Sequence, residues 1–224
     1  KKLYTGMLKL ATEYDVTIIG GDIVRSPQLT ISISVIGKAP GDGLLKRSAA
    51  TSGDHIAITG TLGASAAGLK LLQGKHKLSS GDAASTLRQA HLTPRPRVAE
   101  GRLLVRNGVK AAIDVSDGLL SDLGHICESS AVGAEIYADN IPINPIVSTS
   151  FKENALGLAL CGGEDYELLF TGSAEVIDRV KKAASCPVTV IGEIAAERAG
   201  EVTLIDKKGN PFELGKVGWE HFKR

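Results

Sequence analysis

Residues 29 to 36, Leu-Thr-Ile-Ser-Ile-Ser-Val-Ile, alternate apolar and polar. Leu29, Ile31, Ile33 and Val35 fall on one side, and Thr30, Ser32 and Ser34 on the other. A period of two predicts a half-buried antiparallel strand. Before it, Leu3, Met7, Leu10 and Tyr14 recur at three- and four-residue spacings, the apolar stripe of a helix. Val16-Thr17-Ile18-Ile19 is a short β-type run stopped by Gly20-Gly21-Asp22. The Gly- and Pro-bearing stretch from Gly37 to Gly43 predicts a domain boundary. Residues 1–41 then read as the end of one domain and 42–224 as a second.

In that second module the pattern predicts a strand over 55–59, a glycine-rich turn at 60–63 and an Ala/Leu helix ending near Gly74. Further helices are expected over 82–91 and from about Arg97 to Asn107-Gly108, a C-terminal stop signal. A short apolar strand ends at Asp114 and turns directly into a helix. Strands follow over 134–137, 166–170, 188–191 and 202–205, with a Ser173-capped helix over 174–184 and a proline-bearing loop at 141–145. Strands and helices alternate without a strict βαβ rhythm, and several strands look one-faced. The expected class is therefore α+β: the end of an N-terminal α/β sheet domain, then a mixed-sheet domain with helices packed on one face.

Composition narrows the function. The chain of 224 residues has 43% hydrophobic and 23% charged residues, as ordinary globular domains do. A formal charge of +1 and an aromatic content of 4% argue against nucleic-acid and anionic-membrane partners. No window holds the roughly 18 apolar residues a membrane span needs. Cys127, Cys161 and Cys186 are odd in number and scattered, so neither a disulfide framework nor a cysteine zinc site is expected, and a cytoplasmic setting is. The opening Lys1-Lys2-Leu3-Tyr4 reads as the inside of a helix without an initiator Met, the start expected of a fragment.

The densest chemistry lies in Asp114-Val115-Ser116-Asp117-Gly118. Two carboxylates and a hydroxyl sit at a strand-to-helix turn, beside backbone N–H groups, an arrangement suited to holding magnesium and phosphate together. The plainer alternative is that Asp117 or Ser116 caps the helix. That alternative leaves Asp114 unexplained as a charge after Ala111-Ala112-Ile113. Gly20-Gly21-Asp22 repeats the theme of an apolar run, close-approach glycines and a carboxylate, although such a run is also an ordinary turn. Arg47 is a candidate for phosphate, or a solvated charge. In Cys161-Gly162-Gly163-Glu164-Asp165-Tyr166-Glu167, Glu164 and Asp165 are candidates to meet a cationic or hydroxyl-bearing substrate, or form an acidic loop in solvent. Trp219 is a core anchor or a stacking surface. A Walker A loop is excluded because Leu69 stands where its lysine belongs, and no nucleophile elbow or protein-kinase signature appears.

Together these runs resemble the thiamine-monophosphate kinase family. The resemblance extends from Ile19-Gly20-Gly21-Asp22 through the strand at 29–37, Thr59 to Gly63, Asp114 to Leu123 and Cys161 to Phe170, ending at Gly218 to Phe222. It implies an ATP-binding α+β fold shared with aminoimidazole ribonucleotide synthetase. It also implies transfer of a phosphoryl group from ATP to thiamine monophosphate, with several Mg2+ ions and a homodimer. By resemblance, Asp22, Asp114 and Asp117 are magnesium ligands. Tyr4, Gly21, Asp22, Arg47 and Ser116 contact ATP, and Glu164 and Trp219 contact the substrate. The family also carries an aspartate-rich segment ahead of the opening helix, which this chain does not include, so turnover by the chain alone is not expected. Alternatives are a superfamily member with another acceptor and a non-catalytic nucleotide-binding or dimerisation module.

Overall fold

The computed structural model describes residues 2–39, 41 and 43–212. The chain divides into two compact units, Lys1–Lys38 and Ala39–Arg224.

In the first unit, helix α1 (Lys2–Glu13) forms as its periodicity predicts, yet none of its residues is buried. It ends where Asp15 adopts a left-handed φ of 55° and the Val16 N–H returns to the Ala11 carbonyl at 2.8 Å. That 6→1 bond is a common way to satisfy a helix's last carbonyls. The two strands expected at 16–19 and 29–36 are not present among the described residues. A strand is defined by its ladder, and these runs find no ladder partner among the described residues. Their apolar side chains stand in solvent, with Ile19 85%, Leu29 90% and Val35 81% exposed.

The second unit is built on β1 (His55–Thr59), β2 (Ala111–Asp114), β3 (Gly133–Tyr137), β4 (Leu168–Gly172), β5 (Val188–Ala195), β6 (Val202–Ile205) and β7 (Pro211–Phe212). They form one sheet in the order β2-β4-β1-β5-β3-β6-β7. Every pairing is antiparallel except β3 with β6, so the sheet is mixed, as expected. Its helices are α2 (Ala64–Leu72), α3 (Gly81–Leu92), α4 (Val98–Arg106), α5 (Leu119–Ser130), α6 (Pro145–Phe151), α7 (Ala155–Cys161) and α8 (Ala174–Ala183).

The helices are not confined to one face. Ile56, Ile58, Ile113 and Leu169 pack with Leu119, Leu123 and Ile126 of α5 and Leu160 of α7. On the opposite side of the same strands, Ala57, Ala112 and Phe170 pack with Leu104 of α4 and Ile177 and Val180 of α8. Phe170 lies between Ala57 and Ala112 in the register, and these small neighbours make room for its ring. Both faces of β1, β2 and β4 are thus apolar, which the short strands hid because each looks one-faced alone. Helices α6 and α7 follow the expected loop at 141–145, in a stretch for which no element was expected. The local signal for α6 is Asn144, whose side chain accepts the Ile146 N–H, followed by Pro145 at the first turn.

Candidate active site

Strand β2 ends at Asp114, but its pairing continues into the turn beyond. Val115 N–H donates to the Glu167 carbonyl, Tyr166 N–H to the Val115 carbonyl, and Glu164 N–H to the Ser116 carbonyl, each at 2.9 Å. The Asp114–Gly118 run and the Cys161–Glu167 run therefore interlock as two adjacent loops. Glycine makes the approach feasible. A Cβ at Gly163 would stand 2.2 Å from the Ser116 carbonyl oxygen, and one at Gly118 would meet the Cys161 backbone at 3.0 Å. Gly118 also has φ 117°, a conformation that side chains disfavour.

The interlock gathers acids around one phenol. Tyr166 Oη donates to Glu164 Oε2 at 3.0 Å. Its pKa is raised, first by burial, then by this hydrogen bond and by the charges of Glu164, Asp114 and Asp117. Glu164 and Tyr166 have left-handed φ values of 67° and 51°. Each costs on the order of 1 kcal/mol and persists because the ladder to Val115 and Ser116 holds it.

The other two acids of that run serve the fold. Asp165 accepts the Gly63 and Ser65 N–H groups at the start of α2, at 2.7 and 3.0 Å. Burial pushes its pKa up to about 6 against the lowering effect of those bonds. Glu167, 6% exposed, takes a forked pair of bonds from Arg97 at 2.7 and 2.6 Å and one from the Thr59 hydroxyl at 2.6 Å. The Arg97 guanidinium pKa is raised in turn, chiefly by that bond. A cleft of about 480 Å3 beside these residues is lined by Thr61, Gln89, Arg95, Arg97, Asp165 and Glu167, so Asp165 is the one substrate candidate on its wall. Asp165 as a substrate candidate is thereby reassigned: its carboxylate is taken by backbone.

Sequence reasoning missed Asp122. Its Oδ2 accepts the N–H groups of Ser116, Asp117 and Gly118 at 3.0, 3.0 and 3.1 Å. The turn amides expected to face phosphate are therefore committed to this carboxylate. The signal was there: an acid on the apolar side of α5, between Leu119 and Leu123. Asp117, Asp122 and His125 can bring one ligand atom each within 4.8 Å of one another. Carboxylate oxygens from Asp114 and Asp117 suit a hard divalent cation; an imidazole does not favour magnesium.

Four further expected residues can be described, and each is taken within its own unit. Tyr4, Gly21 and Asp22 belong to the first unit, where a Cβ on Gly21 would be 3.9 Å from the Tyr4 hydroxyl oxygen. Asp22 Oδ1 accepts its neighbour's N–H, from Ile23 at 2.7 Å. Arg47 is exposed, its carbonyl accepting the Ser130 hydroxyl at 2.8 Å, one residue after the bridge from Lys46 to Ala111. Trp219 lies outside the described residues.

The chain is similar to known proteins over most of its length. Residues 51–205 match the family described as AIR synthase related protein, C-terminal domain. A thiamine-monophosphate kinase of Buchnera aphidicola subsp. Schizaphis graminum is 42% identical over 228 residues, covering 99% of this chain and 69% of that protein. The chain belongs to the thiamine-monophosphate kinase family. Among solved structures, the thiamine-monophosphate kinase of Stenotrophomonas maltophilia K279a matches with TM-score 0.66 and 37% identity, covering 73% of this chain and 53% of that one. AaThiL complexed with AMPPCP and TMP matches with TM-score 0.65 and 30% identity, covering 80% and 54%. The chain thus spans little more than half the length of these solved relatives.

Proposed function

We propose that this chain is part of a kinase that moves the γ-phosphoryl group of ATP onto thiamine monophosphate, yielding thiamine diphosphate and ADP. The observation that carries the reading is the interlock of the two loops, which ties the Asp114–Gly118 run to the run bearing Glu164 and Tyr166. In the reaction the bond from the γ-phosphorus to its bridging oxygen breaks, and one forms to a terminal oxygen of the acceptor phosphate. Such transfers need alignment and charge neutralisation more than covalent participation by the protein. Asp114 and Asp117 would hold Mg2+, which when bound offsets the repulsion between the two phosphates. Ser116 and Arg47 would contact the nucleotide, and in the first unit Tyr4, Gly21 and Asp22 keep the roles that the resemblance implies. The Glu164 carboxylate, oriented by Tyr166, attracts the thiazolium cation, and Trp219 stacks on an aromatic ring of the same substrate.

In this reading residues 1–41 are the remainder of an ATP-, metal-binding and dimerisation domain. The exposed apolar runs at 16–36 support a homodimer, since unpaired β-type segments seek partners. Three free cysteines support a cytoplasmic setting.

The test joins the chain to the N-terminal segment of a thiamine-monophosphate kinase relative. It follows thiamine diphosphate formation from thiamine monophosphate and magnesium-ATP, with Asp114→Asn alongside. Product that falls by 100-fold or more in the variant supports the reading. A folded, ATP-binding protein that makes no product sinks it in favour of another acceptor or a binding role.

A further inference from the structure

We infer that Asp122 is the positioning residue of the metal-holding corner: its carboxylate fixes the Val115–Gly118 turn that carries Asp117 and follows Asp114. The inference rests on the proposal that these two aspartates hold a divalent cation. It adds a residue that takes no part in the ligand set that resemblance implies.

Asp122 is 2% exposed and sits among Leu119, Leu123, Ile126 and Cys127, the buried residues of α5. A carboxylate there is costly unless hydrogen bonds compensate for lost water. Three do, and all come from consecutive amides: Ser116, Asp117 and Gly118, at 3.0, 3.0 and 3.1 Å to one oxygen. Helix capping alone does not require this set, since a capping side chain ordinarily sits at the helix entrance, whereas Asp122 lies one turn inside. Gripping three successive N–H groups determines the path of the turn from Ser116 to Gly118, including the left-handed φ of 117° at Gly118. It also turns those amides inward.

The consequence is a division of labour. Asp114 and Asp117 stand on this turn, and its amides are held from the α5 side by Asp122. Two like charges converge on a cation site only if the backbone resists the repulsion between them. Asp122 supplies that resistance without itself needing to touch the cation. Groups that orient ligands in this way typically change metal affinity or activity by about 10- to 100-fold when removed.

The experiment uses the 224-residue chain and two variants. Asp122→Ala removes every acceptor; Asp122→Asn keeps one carbonyl oxygen able to receive the amides. Mn2+ binding is followed by its EPR signal, fold by thermal melting, and amide exchange at Ser116, Asp117 and Gly118 by NMR. The expected result is protected turn amides in the parent, protection lost in Asp122→Ala, and Mn2+ affinity about 10-fold or more weaker. Asp122→Asn is expected to recover most of both, a rescue that general loss of stability does not produce. A folded Asp122→Ala with Mn2+ affinity within 2-fold of the parent overturns the inference. So do turn amides that exchange in the parent as freely as an open loop. If Asp122→Ala does not fold, parent exchange and Asp122→Asn decide: unprotected amides, or Asn affinity far below the parent with a normal melt, count against it. A parent that binds no Mn2+ sinks the metal reading itself, and exchange alone then judges whether Asp122 fixes the turn.

Discussion

Where β1 runs into α2, the turn at Gly60–Gly63 is gripped by carboxylates from about a hundred residues further along the chain. Asp165 takes the Gly63 and Ser65 amides, and a Cβ at Gly60 would collide with the Glu167 carboxylate at 2.1 Å. Where β2 runs into α5, the turn at Val115–Gly118 is gripped by Asp122, four to six residues ahead of the amides it receives. Both corners are glycine-bearing strand-to-helix turns held by an acid. The first consumes its acids in holding the fold together. The second is held locally by an acid of its own helix, beside the two aspartates, Asp114 and Asp117, that we propose for a cation. Proximity to a glycine turn therefore does not distinguish a structural carboxylate from a functional one. Asp165 and Glu167 are recognised as structural by the groups that hold their oxygens.

The most severe way to break the comparison is Gly163→Ala in the chain joined to a relative's N-terminal segment. The new methyl group would sit 2.2 Å from the Ser116 carbonyl oxygen, which is backbone and has little room to give. The two loops must part, and a displacement of about 1 Å at reacting groups lowers turnover by roughly 100-fold. A steady-state assay with circular dichroism to confirm the fold would show this, and unimpaired turnover would mean the interlock is incidental.

A smaller effect is expected at the first corner. Arg97→Ala removes the forked partner of Glu167, leaving a carboxylate that is 6% exposed with the Thr59 hydroxyl. Stranding a buried charge in this way costs about 3 kcal/mol, read from urea denaturation. Mn2+ affinity at the second corner should hold within 2-fold. A collapse of metal binding at unchanged stability would show that the corners are one functional unit.

How much of this was legible beforehand follows the same division. The segment around Asp114 and the acidic run after Gly163 were visible because their residue types are unusual at the end of apolar strands. Their interlock was not, since it depends on ladder bonds across about fifty residues, such as Glu164 to Ser116. Asp122 hid inside a helical stripe that was otherwise apolar. In Glu164-Asp165-Tyr166-Glu167 the sequence shows three acids but not which is buried. The structure sends Asp165 to α2, Glu167 to Arg97 and Glu164 to Tyr166. The run at 29–36 teaches the converse. Perfect alternation describes what a strand would bury, but with no partner ladder among the described residues Leu29 and Val35 stay in solvent.

The subtlest effect concerns protons at the first corner. Burial pushes the Asp165 pKa up to about 6 in the folded protein, from an unfolded value near 3.8. Between those values the folded state binds more protons than the unfolded one, so stability falls as pH rises from about 4 to 6 and levels off above. The contribution is favourable on the acid side, opposite to that of a salt-bridged carboxylate. Its slope is roughly 1 kcal/mol per pH unit within the window. Asp165→Asn cannot titrate, so its denaturation midpoints should lack that part of the slope. Its neutral side chain still offers an oxygen to one of the Gly63 and Ser65 amides, which should keep α2 anchored. Urea denaturation of the parent and the variant at pH 4, 5, 6 and 7 would read the difference. Parallel curves would mean that the Asp165 carboxylate is already ionised across the whole range. Its bonds to the α2 entrance would then outweigh its burial.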